Sequence, residues 1–217
     1  MRRVASCLFL LAFSAFTVGL SGFSEAQAQS QTQSQPVRRT ASLASGAATS
    51  APIGWVQFCT DNPADCRQRS AQARSLTLTS AAFSQLVRVN LQINREIEQV
   101  GDLEHFGVEE FWTYPVDGKG DCEDLVLEKK RRLIALGVPR EALLITVVRD
   151  LNGDGHAILT VVTDRGDYVL DNFTNEVKLW HETGYRFIKR QAQTDANQWV
   201  SLNGGGSSPV QVAMPRR

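Results

Sequence analysis

The segment GHAILTVVTDRGDYVLDN, Gly155 to Asn172, restricts the possible folds of this chain more than any other stretch. Two apolar, β-branched runs flank TDRGD, whose glycine suits a tight turn, so the pattern predicts a β-hairpin. With a two-residue turn at Arg165 and Gly166, Thr163 pairs with Tyr168 and Thr160 with Asp171. His156 and Asp171 then share a sheet face but stand about four residues out of step, roughly 13 Å at the usual strand rise. A three-residue loop reverses the parity and favours Asn172 over Asp171.

Helical periodicity precedes the hairpin. In TSAAFSQLVRVNLQINREIEQV, Phe83, Leu86, Asn90, Ile93, Ile97 and Val100 recur at spacings of three and four, which predicts a core-facing helix with an amide inside its apolar stripe. A buried Asn needs partners: it either bonds nearby backbone or helps to frame a site. In GKGDCEDLVLEKKRRLIALGVP a second helix starts after Asp121, with Cys122, Leu125, Val126, Leu133 and Leu136 on one stripe and Gly137 and Pro139 as stop signals. Helices first and hairpins afterwards indicate an α+β fold, N-terminal helices packed on a mainly antiparallel sheet. Trp112 and Tyr114 in FWTYP are candidates for lining a cleft or for packing.

The chain ends read differently. Arg2 and Arg3, the apolar run CLFLLAFSAFTVGL and the Ala26-Gln27-Ala28 ending have the form of a secretory signal over residues 1–28. Neither a lipobox cysteine nor a second long apolar stretch follows, so an exported product, periplasmic or secreted and without a membrane span, is expected. Residues 29–50, rich in Gln, Ser, Thr and Ala, read as a disordered leader, and residues 203–217 as a disordered tail. Residues 51–202 are left for one cored domain. The 23 basic residues are balanced by 23 acidic ones, which provides no cationic surplus for nucleic acid.

Cys7 leaves with the signal, and three cysteines remain. Cys59 and Cys66, in the turn-rich FCTDNPADC, are expected to form a disulfide in an oxidising compartment. Cys122 is then unpaired, and is either buried and inert or kept for its reactivity. Its place at a helix start favours a thiolate, because free N–H groups and the helix dipole stabilise negative charge there. Asp121 and Glu123 oppose this by raising the thiol pKa, and a hard cation on their oxygens would compensate. Asp124 suits the first helical turn without further explanation. A thiolate nucleophile needs a base. Of His105, His156 and His181, only His156 opens a strand next to a carboxylate or amide that can orient it, Asp171 or Asn172.

The elements GWVQFC, FWTYP, GDCEDLVLEKKRRLIALG and GHAILTVVTDRGDYVLDN, in that order, resemble the bacterial transglutaminase-like cysteine peptidases, the group that contains the LapG-type periplasmic proteases. The resemblance implies a papain-like α+β scaffold carrying a Cys122, His156, Asp171 triad, with Asp121 and Glu123 binding calcium. It further implies a protein substrate such as a surface adhesin, and an inner-membrane regulatory receptor. Transglutaminase-type acyl transfer or an amidase activity on the same triad, and a non-catalytic calcium- or partner-binding role, are the alternatives. Asp150-Leu151-Asn152-Gly153-Asp154-Gly155 imitates half of an EF-hand loop. Its twelfth position is Val161 where a bidentate Glu is required, so it is read as a turn.

Overall fold

The computed structural model describes residues 42–202, so the signal, most of the leader and the tail lie outside the described residues. The first described element is strand β1, Ser45–Thr49, followed by helices α1, Ile53–Asp61, and α2, Pro63–Cys66. The long helix α3, Ser80–Glu96, is capped by the Thr79 side chain, which accepts the Ala82 N–H. Strand β2, Glu98–Gln99, helix α4, Asp102–His105, and strand β3, Lys119–Gly120, lead into helix α5, Cys122–Ala135. Strands β4, Leu143–Arg149, β5, Gly155–Thr163, β6, Gly166–Leu170, β7, Lys178–Leu179, β8, Arg186–Gln191, and β9, Trp199–Leu202, complete the chain.

Seven strands form one antiparallel sheet in the order β1-β9-β8-β4-β5-β6-β7. The main core lies on one face, where Leu86, Val89 and Ile93 of α3 and Leu125, Val126 and Leu133 of α5 meet Ala157, Leu159 and Val161 of β5. A smaller core on the other face gathers Leu43, Val148, Ile158, Val169, Phe187 and Leu202. The expected α+β layout, helices packed on an antiparallel sheet, is therefore the one observed.

Three details differ from the sequence reading. The leader, expected to be unstructured through residue 50, supplies β1, which pairs with β9. An edge strand needs backbone partners more than apolar side chains, so a small, polar composition conceals it. The hairpin turn falls at Asp164 and Arg165, because Thr163 pairs with Gly166 and Leu159 with Leu170. This turn, one residue earlier, moves Asp171 two positions closer to His156 than the Arg165-Gly166 turn would allow. Helix α5 is also buried on almost every side, including Glu123, Asp124, Glu128, Lys129 and Lys130, whereas Leu136, expected on its apolar stripe, is exposed.

Cys59 and Cys66 are joined, as expected from their spacing, and tie α1 to α2. Trp112 and Tyr114 pack: Trp112 meets Trp55 edge-on, and Tyr114 meets Phe58. The EF-hand imitation is the β4–β5 turn, where Asp150 Oδ1 accepts the N–H groups of Asn152 and Asp154.

Candidate active site

Cys122 is the first residue of α5 and the free cysteine among the described residues. β3 lies immediately before it, held in parallel to β2. Gly120 is required there, because a Cβ at that position would stand 2.7 Å from Asp124 Oδ2. The Ala157 N–H, at the start of β5, donates to Cys122 Sγ at 3.5 Å. The sulfur therefore lies beside the residue that follows His156.

His156 Nε2 donates to Asp171 Oδ1 at 2.8 Å. β6 ends at Leu170 in register with Leu159, so continuing the register sets Asp171 against Ile158, a diagonal same-face neighbour of His156. Asp171 Oδ1 also accepts the Phe173 N–H at 3.1 Å, and Oδ2 accepts the Tyr185 hydroxyl at 2.7 Å. Burial acts to raise the Asp171 carboxyl, but the bonds from His156, Tyr185 and Phe173 outweigh it and hold the group below its ordinary value of 3.8. Asn172 is used elsewhere, donating to Gln99 Oε1 at 2.7 Å. The Phe173 ring lies flat on the imidazole, with centroids 4.1 Å apart and planes 4° apart. His156 and Cys122 are each only 1% exposed, whereas Phe173 is 45% exposed. A cavity of about 530 Å³ borders this cover, lined by Asp171, Phe173 and Tyr185 but not by the sulfur.

Helix α3 secures the loop after Asp171. Asn94 donates to the Asp171 carbonyl at 2.9 Å, and Asn90 to the Thr174 carbonyl at 3.1 Å. The amide in the apolar stripe thus both bonds backbone and frames the loop that holds the acid.

The Cys122 thiol donates to Glu123 Oε2 at 3.0 Å. Burial, then the charges of Glu123 and Asp121, push the thiol well above its ordinary value. Asp121 is the N-cap residue of α5, yet its side chain caps no N–H, and its buried oxygens approach Glu123 and the Asp102 backbone without a hydrogen bond of full geometry. Glu123 Oε1, Asp124 Oδ2 and Asp102 Oδ1 are likewise buried and unpartnered. One ligand atom each from Asp102, Asp121 and Asp124 lie within 4.8 Å of one another, and the same holds for Asp121, Cys122 and Glu123. Burial pushes Asp121 up to about 7 and Asp124 up to about 9, and it raises Glu123 and Asp102 as well. Unpartnered buried carboxylate oxygens in this number fit a hard divalent cation.

Residues 45–207 match the family model described as bacterial transglutaminase-like cysteine proteinase. The chain belongs to that family. It is a transglutaminase-like cysteine peptidase on an α+β scaffold, in agreement with the resemblance seen in its motifs. Among solved structures it is similar to calcium-bound LapG of Legionella pneumophila, at 23% identity and a TM-score of 0.48, over 59% of this chain and 74% of that one. A second structure of the same LapG gives 25% and 0.46, over 57% and 70% of the two chains. An EGTA-treated form gives 26% and 0.45, over 54% and 66%. No curated protein matches the chain.

Several residues of the site were not marked by sequence reasoning. Asp102 lies twenty positions before Cys122, in a helix of one turn, and Tyr185 follows a loop glycine, so neither carries a local pattern. Asp124 was visible, but an acid in a first helical turn is explained by the dipole alone. Among the other histidines, His105 pairs with Asp117 at 2.8 Å and is not part of this cluster.

Proposed function

We propose that the protein is an exported, calcium-dependent cysteine endopeptidase whose Cys122, His156 and Asp171 act together. The observation that carries this reading is the junction of two contacts at the start of β5: the Ala157 N–H on Cys122 Sγ and His156 Nε2 on Asp171. With Nε2 engaged by the carboxylate, Nδ1 is the ring atom left to act as base. Cys122 attacks a peptide carbonyl carbon, and His156 takes the thiol proton and passes it to the departing amine. Water then attacks the thioester, with His156 again as base, and releases the acid and the free thiol. Asp171 holds the imidazole in one tautomer. The Cys122 N–H, unpaired at the helix start, receives the developing oxyanion.

Asp102, Asp121, Glu123 and Asp124 would hold the calcium ion. When bound, calcium supplies the positive charge that the acids around Cys122 need and fixes the loop leading into α5. Asp121 is common to the two clusters, and Glu123 Oε2 joins them to the thiol by accepting from it.

The substrate we assign is a periplasmic or cell-surface protein, of the adhesin kind cut by LapG-type enzymes, with an inner-membrane receptor as regulatory partner. No helix among the described residues is long and apolar enough to cross a membrane. The test compares surface proteins of cells producing the wild type or Cys122→Ala. A new protein terminus present only with the wild type supports endopeptidase action, and identical termini with an unreactive Cys122 refute it.

A further inference from the structure

The two residues proposed as nucleophile and base are out of reach of a substrate. Cys122 and His156 are each 1% exposed, yet a peptide must set its carbonyl against the sulfur and its departing amine within bonding reach of the imidazole. The cover over the imidazole is well defined. The Phe173 ring lies flat on it, with centroids 4.1 Å apart and planes 4° apart, and Tyr185 meets the same imidazole edge-on with centroids 5.9 Å apart. Tyr185 is tied by its hydroxyl to Asp171. The Phe173 side chain has no hydrogen-bonding group to hold it, and at 45% exposure part of it already faces solvent.

The backbone on either side of Phe173 is fastened. Gln99 bonds Asn172 twice, donating to its carbonyl at 3.4 Å and accepting from its amide at 2.7 Å. Asn94 donates to the carbonyls of Asp171 and Thr174 at 2.9 and 3.2 Å, and Asn90 donates to that of Thr174 at 3.1 Å. The Phe173 N–H itself donates to Asp171 Oδ1. Swinging the whole loop away would break these bonds together, whereas turning one ring about its side-chain torsions breaks none of them. The ring also has room to turn. The cavity of about 530 Å³ that Phe173 lines is bordered as well by Leu151, Val169 and Tyr185, apolar and aromatic surfaces on which a phenyl ring can settle.

We propose that Phe173 is the gate of the triad, a side chain that turns between a closed rotamer on His156 and an open one in the adjoining cavity while its loop stays in place. This rests on the peptidase reading above and adds a means of control to it. In the closed rotamer the ring takes the space over one face of the imidazole, and in the open rotamer that space is free. A substrate that fills the vacated space shifts the balance toward the open form, so the enzyme without substrate is mostly latent. A ring that serves only as packing, or a loop that opens as a body, predicts different results in the test.

The test labels His156 with diethyl pyrocarbonate, which acylates accessible imidazole nitrogens, and reads the rate by mass spectrometry against the exposed His181 of the same chain. Phe173→Ala should speed labelling of His156 by about tenfold or more, the factor by which an open form populated at no more than about 10% holds the rate down. The His181 rate should stay as in the wild type. Asn94→Ala, which loosens the loop and leaves the ring, should label His156 at close to the wild-type rate. An unchanged His156 rate in Phe173→Ala overturns the proposal. So does an Asn94→Ala rate that rises as far as that of Phe173→Ala, since the loop would then be the moving part. Should Phe173→Ala fail to fold, Phe173→Leu, which is smaller and lacks the flat face, carries the same expectation and the same refutation. Cys122 left unlabelled by iodoacetamide in both the wild type and Phe173→Ala would count against the peptidase reading alone, since the His156 rates are read without turnover.

Discussion

Asp171 accepts from three directions at once, and its second oxygen belongs to Tyr185, whose hydroxyl donates to Oδ2 at 2.7 Å. This bond leaves Oδ1 to His156 and fixes the carboxylate plane. The acid proposed to orient His156 is thus itself oriented, by a residue on the loop before β8.

Tyr185→Phe should raise the Asp171 carboxyl toward its ordinary value of 3.8, because one of the bonds that hold it down is lost. A depressed carboxyl contributes stability that is present above its unfolded value and lost as pH falls through the folded one. The variant should therefore be less stable by about 1 kcal/mol at neutral pH, with the deficit closing as pH falls below 3.8. Denaturant midpoints measured across pH check this. A deficit that is constant down to the acid limit would assign the loss to packing.

His156→Ala should slow iodoacetamide labelling of Cys122 at neutral pH by about tenfold or more, since the thiol loses its proton acceptor. Asp171→Asn keeps a hydrogen-bonding group but can favour the wrong imidazole tautomer. A loss of turnover on the order of 10³ to 10⁴ is expected once a substrate is in hand. Mass-spectrometric labelling rates and cleavage assays measure the two effects.

Calcium binding should release protons. Asp121 and Asp124 are raised to about 7 and about 9, so without a cation they carry protons at neutral pH that the ion must displace. Affinity should rise with pH through that window, and calorimetric heats should vary with the ionisation enthalpy of the buffer. The folded state holds these protons where the unfolded one has lost them, so in chelator stability should fall as pH rises from the ordinary value of 3.8 toward 9. Calcium should flatten that decline. Asp121→Ala or Asp102→Ala should remove the heat, and an unaltered titration in both would exclude the site.

A chain trimmed to begin at Ala51 loses β1 and Leu43. Its removal strips β9 of its outer partner. It also takes the Leu43 N–H from Asp167 and the Leu43 carbonyl from Arg190, a buried pair 2.8 Å apart. A cost of about 2 to 4 kcal/mol is expected from the buried leucine and the unpaired groups. Urea midpoints of the two chains provide the comparison, and equal midpoints would show β1 to be dispensable.

The residues of the proposed triad were legible because each carries a local signature. Cys122 stands between carboxylates at a helix start, His156 opens an apolar run, and Asp171 closes the next one. The distance between them was not legible. One residue of turn placement, Asp164-Arg165 in place of Arg165-Gly166, changes the His156–Asp171 offset from four positions to two, and both turns suit the same sequence. The choice between Asp171 and Asn172 depended on that register.

By itself the sequence marked the order of helices and strands, Cys122 and His156 as the proposed nucleophile and base, the acids beside the sulfur and the pairing of Cys59 with Cys66, because these follow from periodicity, turn chemistry and neighbouring charge. Only the tertiary structure decided that Asp102 and Asp124 join Asp121, that Phe173 covers His156, that Tyr185 holds Asp171, and that Lys129 is buried without a partner. These contacts join residues distant along the chain. Their energies depend on burial and on through-space charge, neither of which a local pattern of residue types records.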